Sequence, residues 1–125
     1  MGGKNTIMLV DDDPEVCQLL SKVLVGDGFE VYCTDEGEDV MRNIEDESFG
    51  LILLDLKLPK MGGIRGGIDI LKRIREMGKD ILVIVISGYL TDKYIDEIVE
   101  LGVYDYFKKP FNLKELRNTV RRALS

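Results

Sequence analysis

Carboxylates follow two short apolar segments of this 125-residue chain. Asp11, Asp12 and Asp13 come directly after one segment, and Asp55 comes directly after another. A helix cap needs only one carboxylate, and Asp13 before Pro14 can provide it. Capping therefore does not account for the negative charges of Asp11 and Asp12. If the two segments are neighbouring strands, Asp55 joins them, and like charges at close range are costly without a cation. Oxygen ligands with open water positions suit Mg²⁺ or Mn²⁺ rather than zinc.

Two further polar side chains follow apolar segments. Ser87 stands directly after Ile86, and Lys109 precedes Pro110. Taken alone, each has an ordinary interpretation, as a satisfied loop hydroxyl and as a solvated lysine. In a parallel sheet, however, the residues after the strands meet at one edge, and ligands bind there. The combination therefore predicts one site made of carboxylates, a hydroxyl and an ammonium group.

Apolar segments alternate with helical patterns along the chain. Continuous apolar runs are typical of strands buried on both faces. The predicted strands are Thr6–Val10, Phe29–Thr34, Leu51–Leu54, Ile81–Ile86 and Tyr104–Phe107. The predicted helices run from Pro14 to Gly26, from Glu36 to Glu47, from beyond the loop Pro59–Gly67 to Gly78, from Thr91 to Gly102 and from Asn112 to Leu124. Five strand–helix units with short loops predict one α/β domain, residues 1–125, with helices on both faces of a parallel sheet.

Composition excludes several classes of protein. The chain has no histidine, which rules out a Ser-His-Asp triad, a His-ligated zinc site and the phosphohistidine role in a relay. The net charge of −6 argues against a domain whose whole surface binds nucleic acid. The longest apolar run, Ile81–Ile86, is far shorter than the roughly 20 residues of a membrane span. Since the N-terminus lacks an apolar signal-peptide core, we expect a cytoplasmic protein with no membrane partner.

Cys17 and Cys33 are isolated cysteines without the spacing of a metal or redox motif. We expect both to behave as small hydrophobic side chains in a reducing compartment. A disulfide between them is the less favoured alternative.

Four short segments carry the polar residues named above together with their apolar flanks. They are Met8–Pro14, Leu53–Pro59, Val85–Gly88 and Tyr106–Phe111. In this order they resemble the receiver domain family of two-component response regulators, and the resemblance extends from Ile7 to Leu124. It implies a CheY-like, flavodoxin-like doubly wound fold of five strand–helix units, with a parallel sheet of strand order 2-1-3-4-5.

The resemblance also implies a phosphorylation reaction. Asp55 would be the nucleophile that accepts a phosphoryl group from the phosphohistidine of a sensor histidine kinase or of a histidine phosphotransfer protein. Asp11, Asp12, Asp55 and the backbone carbonyl of Lys57 would hold Mg²⁺, with Mn²⁺ as an alternative. The metal would offset the repulsion between an anionic nucleophile and an anionic phosphoryl group. The protein would then be no enzyme beyond its own phosphorylation and dephosphorylation.

Further roles follow from the same resemblance. Ser87 and Lys109 would each bind a phosphoryl oxygen, and Ser87 with Tyr106 would form a switch. Phosphorylation would draw Ser87 inward and let the Tyr106 ring fill the vacated space. Lys57 and Tyr89 would flank the path of attacking water and tune dephosphorylation in a direction that the sequence leaves open.

The switch would change the surface formed by the fourth helix, the fifth strand and the fifth helix. This surface would serve an output domain, an effector protein or a phosphorylation-dependent homodimer, without direct binding of nucleic acid by this domain. A stand-alone relay protein and a receiver from a longer regulator both remain possible interpretations.

One segment departs from the family pattern. The sequence Gly62-Gly63-Ile64-Arg65 is followed by the similar Gly66-Gly67-Ile68-Asp69, which adds about four residues before the third helix. A tolerated loop insertion or one added helical turn is the favoured interpretation of Gly62–Gly67. A mobile flap beside the phosphorylation site, altering phosphate lifetime or donor docking, is the alternative.

Three other classes of protein use parts of this pattern. A haloacid-dehalogenase-type phosphatase also uses a strand-end Asp and Mg²⁺, but typically carries an acid where this chain has Lys57. A flavodoxin-like FMN protein would offer hydroxyls and amides to a phosphate in its first loop, whereas residues 11–13 would repel one. A receiver-like module used only for protein contacts would lack one of the acids or Lys109. The phosphorylatable switch is therefore the leading hypothesis.

Overall fold

Five parallel strands form one sheet in the order β2-β1-β3-β4-β5 in the computed structural model, which describes residues 3–46, 49–78 and 81–125. The strands are β1 (Gly3–Val10), β2 (Glu30–Thr34), β3 (Phe49–Asp55), β4 (Leu82–Ser87) and β5 (Asp105–Lys108). The helices are α1 (Pro14–Gly26), α2 (Gly37–Asp46), α3 (Ile64–Glu76), α4 (Asp92–Glu100) and α5 (Leu113–Ala123), with a 3-10 turn at Pro59–Met61. The predicted α/β fold and its strand order are confirmed. The predicted end of the second helix at Glu47 lies outside the described residues.

The sheet separates two apolar layers. Along β3, Leu51 and Leu53 face the layer shared with α1 and α5, whereas Ile52 and Leu54 face the layer shared with α2, α3 and α4. All four side chains are fully buried. Burial on both faces explains why this segment is continuously apolar rather than alternating.

Helix starts follow the predicted capping residues. The Asp13 carboxylate accepts a hydrogen bond from the backbone N–H of Glu15 at 2.9 Å, at the start of α1. The Asn112 side chain does the same for Glu115 at 2.9 Å, at the start of α5. Thr91 caps α4. These caps fix where each helix leaves the loop that follows its strand.

The glycine-rich segment differs from its prediction as a loop. Its residues 64–67 form the first turn of α3. This part of the insertion is therefore an added helical turn, one of the two forms that the sequence favoured. A Cβ atom on Gly67 would lie 2.2 Å from the carbonyl oxygen of Leu56, and one on Gly66 would lie 1.9 Å from that of Met61. The absent side chains let the helix backbone pack directly on the segment after β3. Close packing therefore outweighs the low helix propensity of glycine here.

The cysteine prediction is wrong in this structure. Cys17 of α1 and Cys33 of β2 are joined in a disulfide, with their Cα atoms 6.4 Å apart. The two residues are 16 positions apart in sequence, and only the packing of α1 on β2 brings them together.

Among the described helices, none is both long and apolar enough to cross a membrane.

We predict that Gly67→Ala destabilises the protein by about 3 kcal/mol, because the added methyl group must displace backbone atoms of Leu56. Gly26→Ala is the matched control, since a Cβ there meets nothing within 4 Å and α1 gains a better helix former. Urea unfolding of both variants measures the difference. Equal free energies of unfolding for the two variants would contradict the packing of α3 described here.

Candidate functional site

The polar residues predicted from the sequence meet at the carboxyl edge of the sheet. Asp11 follows β1, Asp55 ends β3, Ser87 ends β4 and Lys109 follows β5. Three of these residues are buried: Asp11 is 6% exposed, Asp55 is 4% exposed and Ser87 is 0% exposed. Since β1 and β3 are hydrogen-bonded neighbours, their terminal carboxylates must lie side by side.

The ammonium group of Lys109 bridges two of these carboxylates. Its Nζ atom donates to Asp11 Oδ2 at 2.8 Å and to Asp55 Oδ2 at 3.0 Å. A cation between two buried anions offsets both their mutual repulsion and their loss of hydration. Lys109 therefore holds together, in this state, carboxylates that would otherwise repel each other.

The same arrangement sets the protonation equilibria of the site. Burial raises the pKa of Asp55 most, the negative charge of Asp11 adds to the rise, and the hydrogen bond from Lys109 opposes it, leaving the pKa above its usual value. Burial alone would lower the pKa of Lys109, but the hydrogen bonds to Asp11 and Asp55 outweigh it and raise that pKa. Lys109 is accordingly a fixed positive charge at neutral pH.

Three carboxylates are close enough to share one metal ion. One oxygen from each of Asp11, Asp12 and Asp55 lies within 4.8 Å of the other two. Asp12 is exposed, while the other two are buried, so the group opens toward solvent on one side. An all-oxygen set with a solvent side fits Mg²⁺ or Mn²⁺, which retain several waters when bound to proteins.

Local hydrogen bonds orient these carboxylates. Asp11 Oδ1 accepts the backbone N–H of Asp13 at 2.9 Å, and Asp55 Oδ1 accepts that of Lys57 at 3.1 Å. Each carboxylate thus uses one oxygen to shape its own loop and presents the other to Lys109. The role of the Lys57 carbonyl as a metal ligand stays a prediction.

Ser87 and Tyr89 form a tight turn on the same edge. The Ser87 Oγ atom accepts the backbone N–H of Tyr89 at 3.2 Å, and the Ser87 carbonyl accepts the N–H of Lys109 at 2.8 Å. The Lys57 ammonium lies over the Tyr89 ring, 4.4 Å from its centroid. The side chains of Lys57 and Tyr89 line the open cleft above the acids, together with Asp12, Asp55 and Lys109.

Tyr106 lies on β5, opposite Val85 of β4, and its side chain is 38% exposed. The structure therefore places it on the solvent-exposed surface of the edge strand β5. Its predicted exchange with Ser87 stays a prediction.

Sequence reasoning missed one ion pair beside the site. Arg65, in the added turn of α3, donates from Nη1 to Glu97 Oε1 of α4 at 2.9 Å. This hydrogen bond holds the pKa of Glu97 below its usual value. The two residues are 32 positions apart, and no local pattern in the sequence could have paired them.

Comparison with known proteins identifies the family. Residues 7–121 match the model of the response regulator receiver domain. The chain belongs to this family. The same residues carry the four segments on which the resemblance was based, so the prediction of a two-component receiver domain is confirmed.

Relatives and solved structures also support the assignment of this chain to the receiver domain family. It is 37% identical over 121 residues to the transcriptional regulatory protein CpxR of Escherichia coli, covering 96% of this chain and 49% of CpxR. It is 34% identical over 118 residues to sporulation initiation phosphotransferase F of Bacillus subtilis, covering 94% of this chain and 92% of that protein. The receiver domain from Methanospirillum hungatei superimposes with a TM-score of 0.87 at 27% identity, covering 96% of this chain and 93% of that one. The chain therefore spans about half the length of CpxR.

We predict that about 10 mM MgCl₂ raises the Tm of the receiver domain by roughly 4 °C, as expected for a dissociation constant near 1 mM. The rise should be lost in Asp12→Asn, which removes one carboxylate of the cluster. Asp13→Asn is the control, because Asn caps a helix as well as Asp and residue 13 is outside the cluster. An undiminished rise in Asp12→Asn would place the metal elsewhere.

Proposed function

We propose that this receiver domain accepts a phosphoryl group on Asp55 from a phosphohistidine in a Mg²⁺-dependent reaction. The observation that supports this most is the Lys109 ammonium bridging Asp55 and Asp11, with Asp12 close to both. Phosphoryl transfer needs little beyond positioning and neutralisation of charge. A buried carboxylate, a fixed cation and an oxygen-ligand cluster supply those requirements.

Transfer proceeds by attack of an Asp55 carboxylate oxygen on the phosphorus atom. The new O–P bond forms as the N–P bond to the donor imidazole breaks, and the bonding pair stays on the imidazole nitrogen. The product is an acyl phosphate on Asp55 and a donor imidazole that becomes neutral by taking one proton from water. Mg²⁺, held by Asp11, Asp12, Asp55 and the Lys57 carbonyl, supplies charge neutralisation for the phosphoryl oxygens when bound.

Two groups of the chain can bind the transferred phosphoryl oxygens. Lys109 already donates to Asp55, so its ammonium lies where charge accumulates on that residue. Ser87 Oγ accepts the N–H of Tyr89, which leaves its own hydroxyl proton available to donate. We assign the phosphoryl oxygens to these two donors.

The readout extends from Ser87 to the surface of α4, β5 and α5. As the Ser87 hydroxyl turns toward the phosphoryl group, the Tyr106 ring moves inward from its exposed position and changes this surface. Large hydrophobic side chains exposed there include Val99, Tyr104 and Tyr106. An output domain, an effector or a second phosphorylated copy would read the change.

The relatives support two kinds of context for this switch. CpxR is named as a transcriptional regulatory protein and is about twice the length of the matched segment. Sporulation initiation phosphotransferase F is matched over almost its whole length. We propose a sensor histidine kinase or a histidine phosphotransfer protein as the donor in either context. Catalysis by the chain is confined to forming and hydrolysing its own acyl phosphate.

We predict that acetyl phosphate with Mg²⁺ adds one phosphoryl group, about 80 Da, to the intact chain. The adduct should be absent in Asp55→Asn and absent when EDTA replaces Mg²⁺. Asp13→Asn should retain it, since that residue only caps α1. Intact mass spectrometry makes the measurement, and an equal adduct on Asp55→Asn would refute the proposal.

We also predict that Ser87→Ala slows phosphorylation by acetyl phosphate by at least about 10-fold, because one donor to the phosphoryl oxygens is lost. Ser87→Thr keeps the hydroxyl and should restore most of the rate. Time courses of adduct formation compare the three proteins. If the alanine and threonine variants are slowed equally, the hydroxyl has no role in transfer.

A further inference from the structure

A pair of cysteines ties α1 to the edge strand β2. Cys17 ends the first turn of α1, and Cys33 is the residue before the end of β2. Their Cα atoms are 6.4 Å apart, within the range that disulfides span without backbone movement. Both side chains are half-buried, at the margin of the apolar layer that α1 and α5 share. Neither cysteine is fully enclosed by the protein.

The pair lies beside the loop that carries the acids. The backbone N–H of Cys17 donates to the Asp13 carbonyl at 3.1 Å, and that of Asp11 donates to the Thr34 carbonyl, next to Cys33, at 3.1 Å. The start of α1 and the end of β2 therefore hold this loop from both sides. A covalent bond between Cys17 and Cys33 adds to these hydrogen bonds a direct link between α1 and β2.

A polar neighbour distinguishes the pair from two ordinary core residues. The Ser21 hydroxyl lies one helical turn after Cys17, with its Oγ atom 3.2 Å from Cys33 Sγ. An oxygen within hydrogen-bond distance can stabilise charge on the sulfur as the bond forms or breaks. The site thus has two sulfurs in bonding range, partial exposure and a polar contact.

We propose that Cys17 and Cys33 are a reversible redox site, a second covalent input to this receiver domain beside phosphorylation. The inference concerns thiol chemistry and does not depend on whether Asp55 accepts a phosphoryl group. The oxidised form ties α1 to β2 covalently, and the reduced form leaves them joined by non-covalent contacts. The oxidant is a hydroperoxide, and the reductant is a dithiol.

The oxidation balances in two steps with hydrogen peroxide. One thiolate sulfur attacks a peroxide oxygen, the O–O bond breaks, and a sulfenic acid forms with release of water after proton transfer. The second thiolate then attacks the sulfenic sulfur, the S–O bond breaks, an S–S bond forms and a second water leaves. Two electrons pass from the two sulfurs to the peroxide. A dithiol reverses the reaction by exchange and becomes a disulfide itself.

The test compares the two redox forms of the unchanged protein, so that no variant needs to fold. After mild peroxide, alkylation in denaturant should leave both cysteines of the monomer unmodified, and after dithiol treatment it should modify both. Because the bridge closes a loop of 16 residues, the oxidised form should unfold at a Tm roughly 10 °C higher. A second cycle of reduction and oxidation should reproduce both values.

Three variants test whether the difference in Tm depends on the two cysteines. Cys17→Ser and Cys33→Ser should have the same Tm in peroxide and in dithiol, whereas Ser21→Ala should retain the difference. Two alkylated thiols after peroxide, a bridge formed only between two chains, or equal Tm values for the two forms of the natural protein would each overturn the proposal. A retained difference in either cysteine variant would overturn it as well.

Discussion

The site depends on one constraint, that two buried carboxylates can share a sheet edge only with a cation between them. The oxygens of the acidic cluster lie within 4.8 Å of one another, and at an effective dielectric constant of about 20 two unit charges at that limit repel by about 3.5 kcal/mol, a large part of the roughly 5 to 15 kcal/mol that stabilises a domain. Lys109 offsets this cost for Asp11 and Asp55. The negative charge that Lys109 neutralises here is also the charge that the proposed Mg²⁺ would bind, and Lys109 and that metal would together offset the charge of an incoming phosphoryl group.

Sheet topology brings the charged groups of this constraint together. Asp11, Asp55 and Lys109 are brought together because β1 lies beside β3 and because all the strands end at one edge. Continuous apolar runs in β1, β3 and β4, buried on both faces, hold these central strands together beneath the site. Ser87 belongs to the same edge, and β5 carries Tyr106 one strand further out. The path from the proposed phosphorylation site to the exposed surface is therefore short.

Much of this could be predicted from residue types and order. Strand-end acids, the caps at Asp13 and Asn112 and the strand order all follow from local patterns together with the resemblance. The choice between a loop and an added helical turn at residues 64–67 could not be predicted, because glycine disfavours helices and the close contacts of Gly66 and Gly67 with the backbone of Met61 and Leu56 are not visible in the sequence. The Cys17–Cys33 bridge could not either, since it depends on how α1 packs on β2.

The central claim is that these side chains form one phosphoryl-accepting centre with Asp55 as its nucleophile. Locating the modified residue tests it most directly: the chain is treated with acetyl phosphate and Mg²⁺, reduced with borohydride to convert the acyl phosphate to an alcohol, digested and sequenced by tandem mass spectrometry. The account predicts conversion at Asp55 alone. Conversion at Asp11 or Asp12 instead, or spread over several carboxylates, would contradict it.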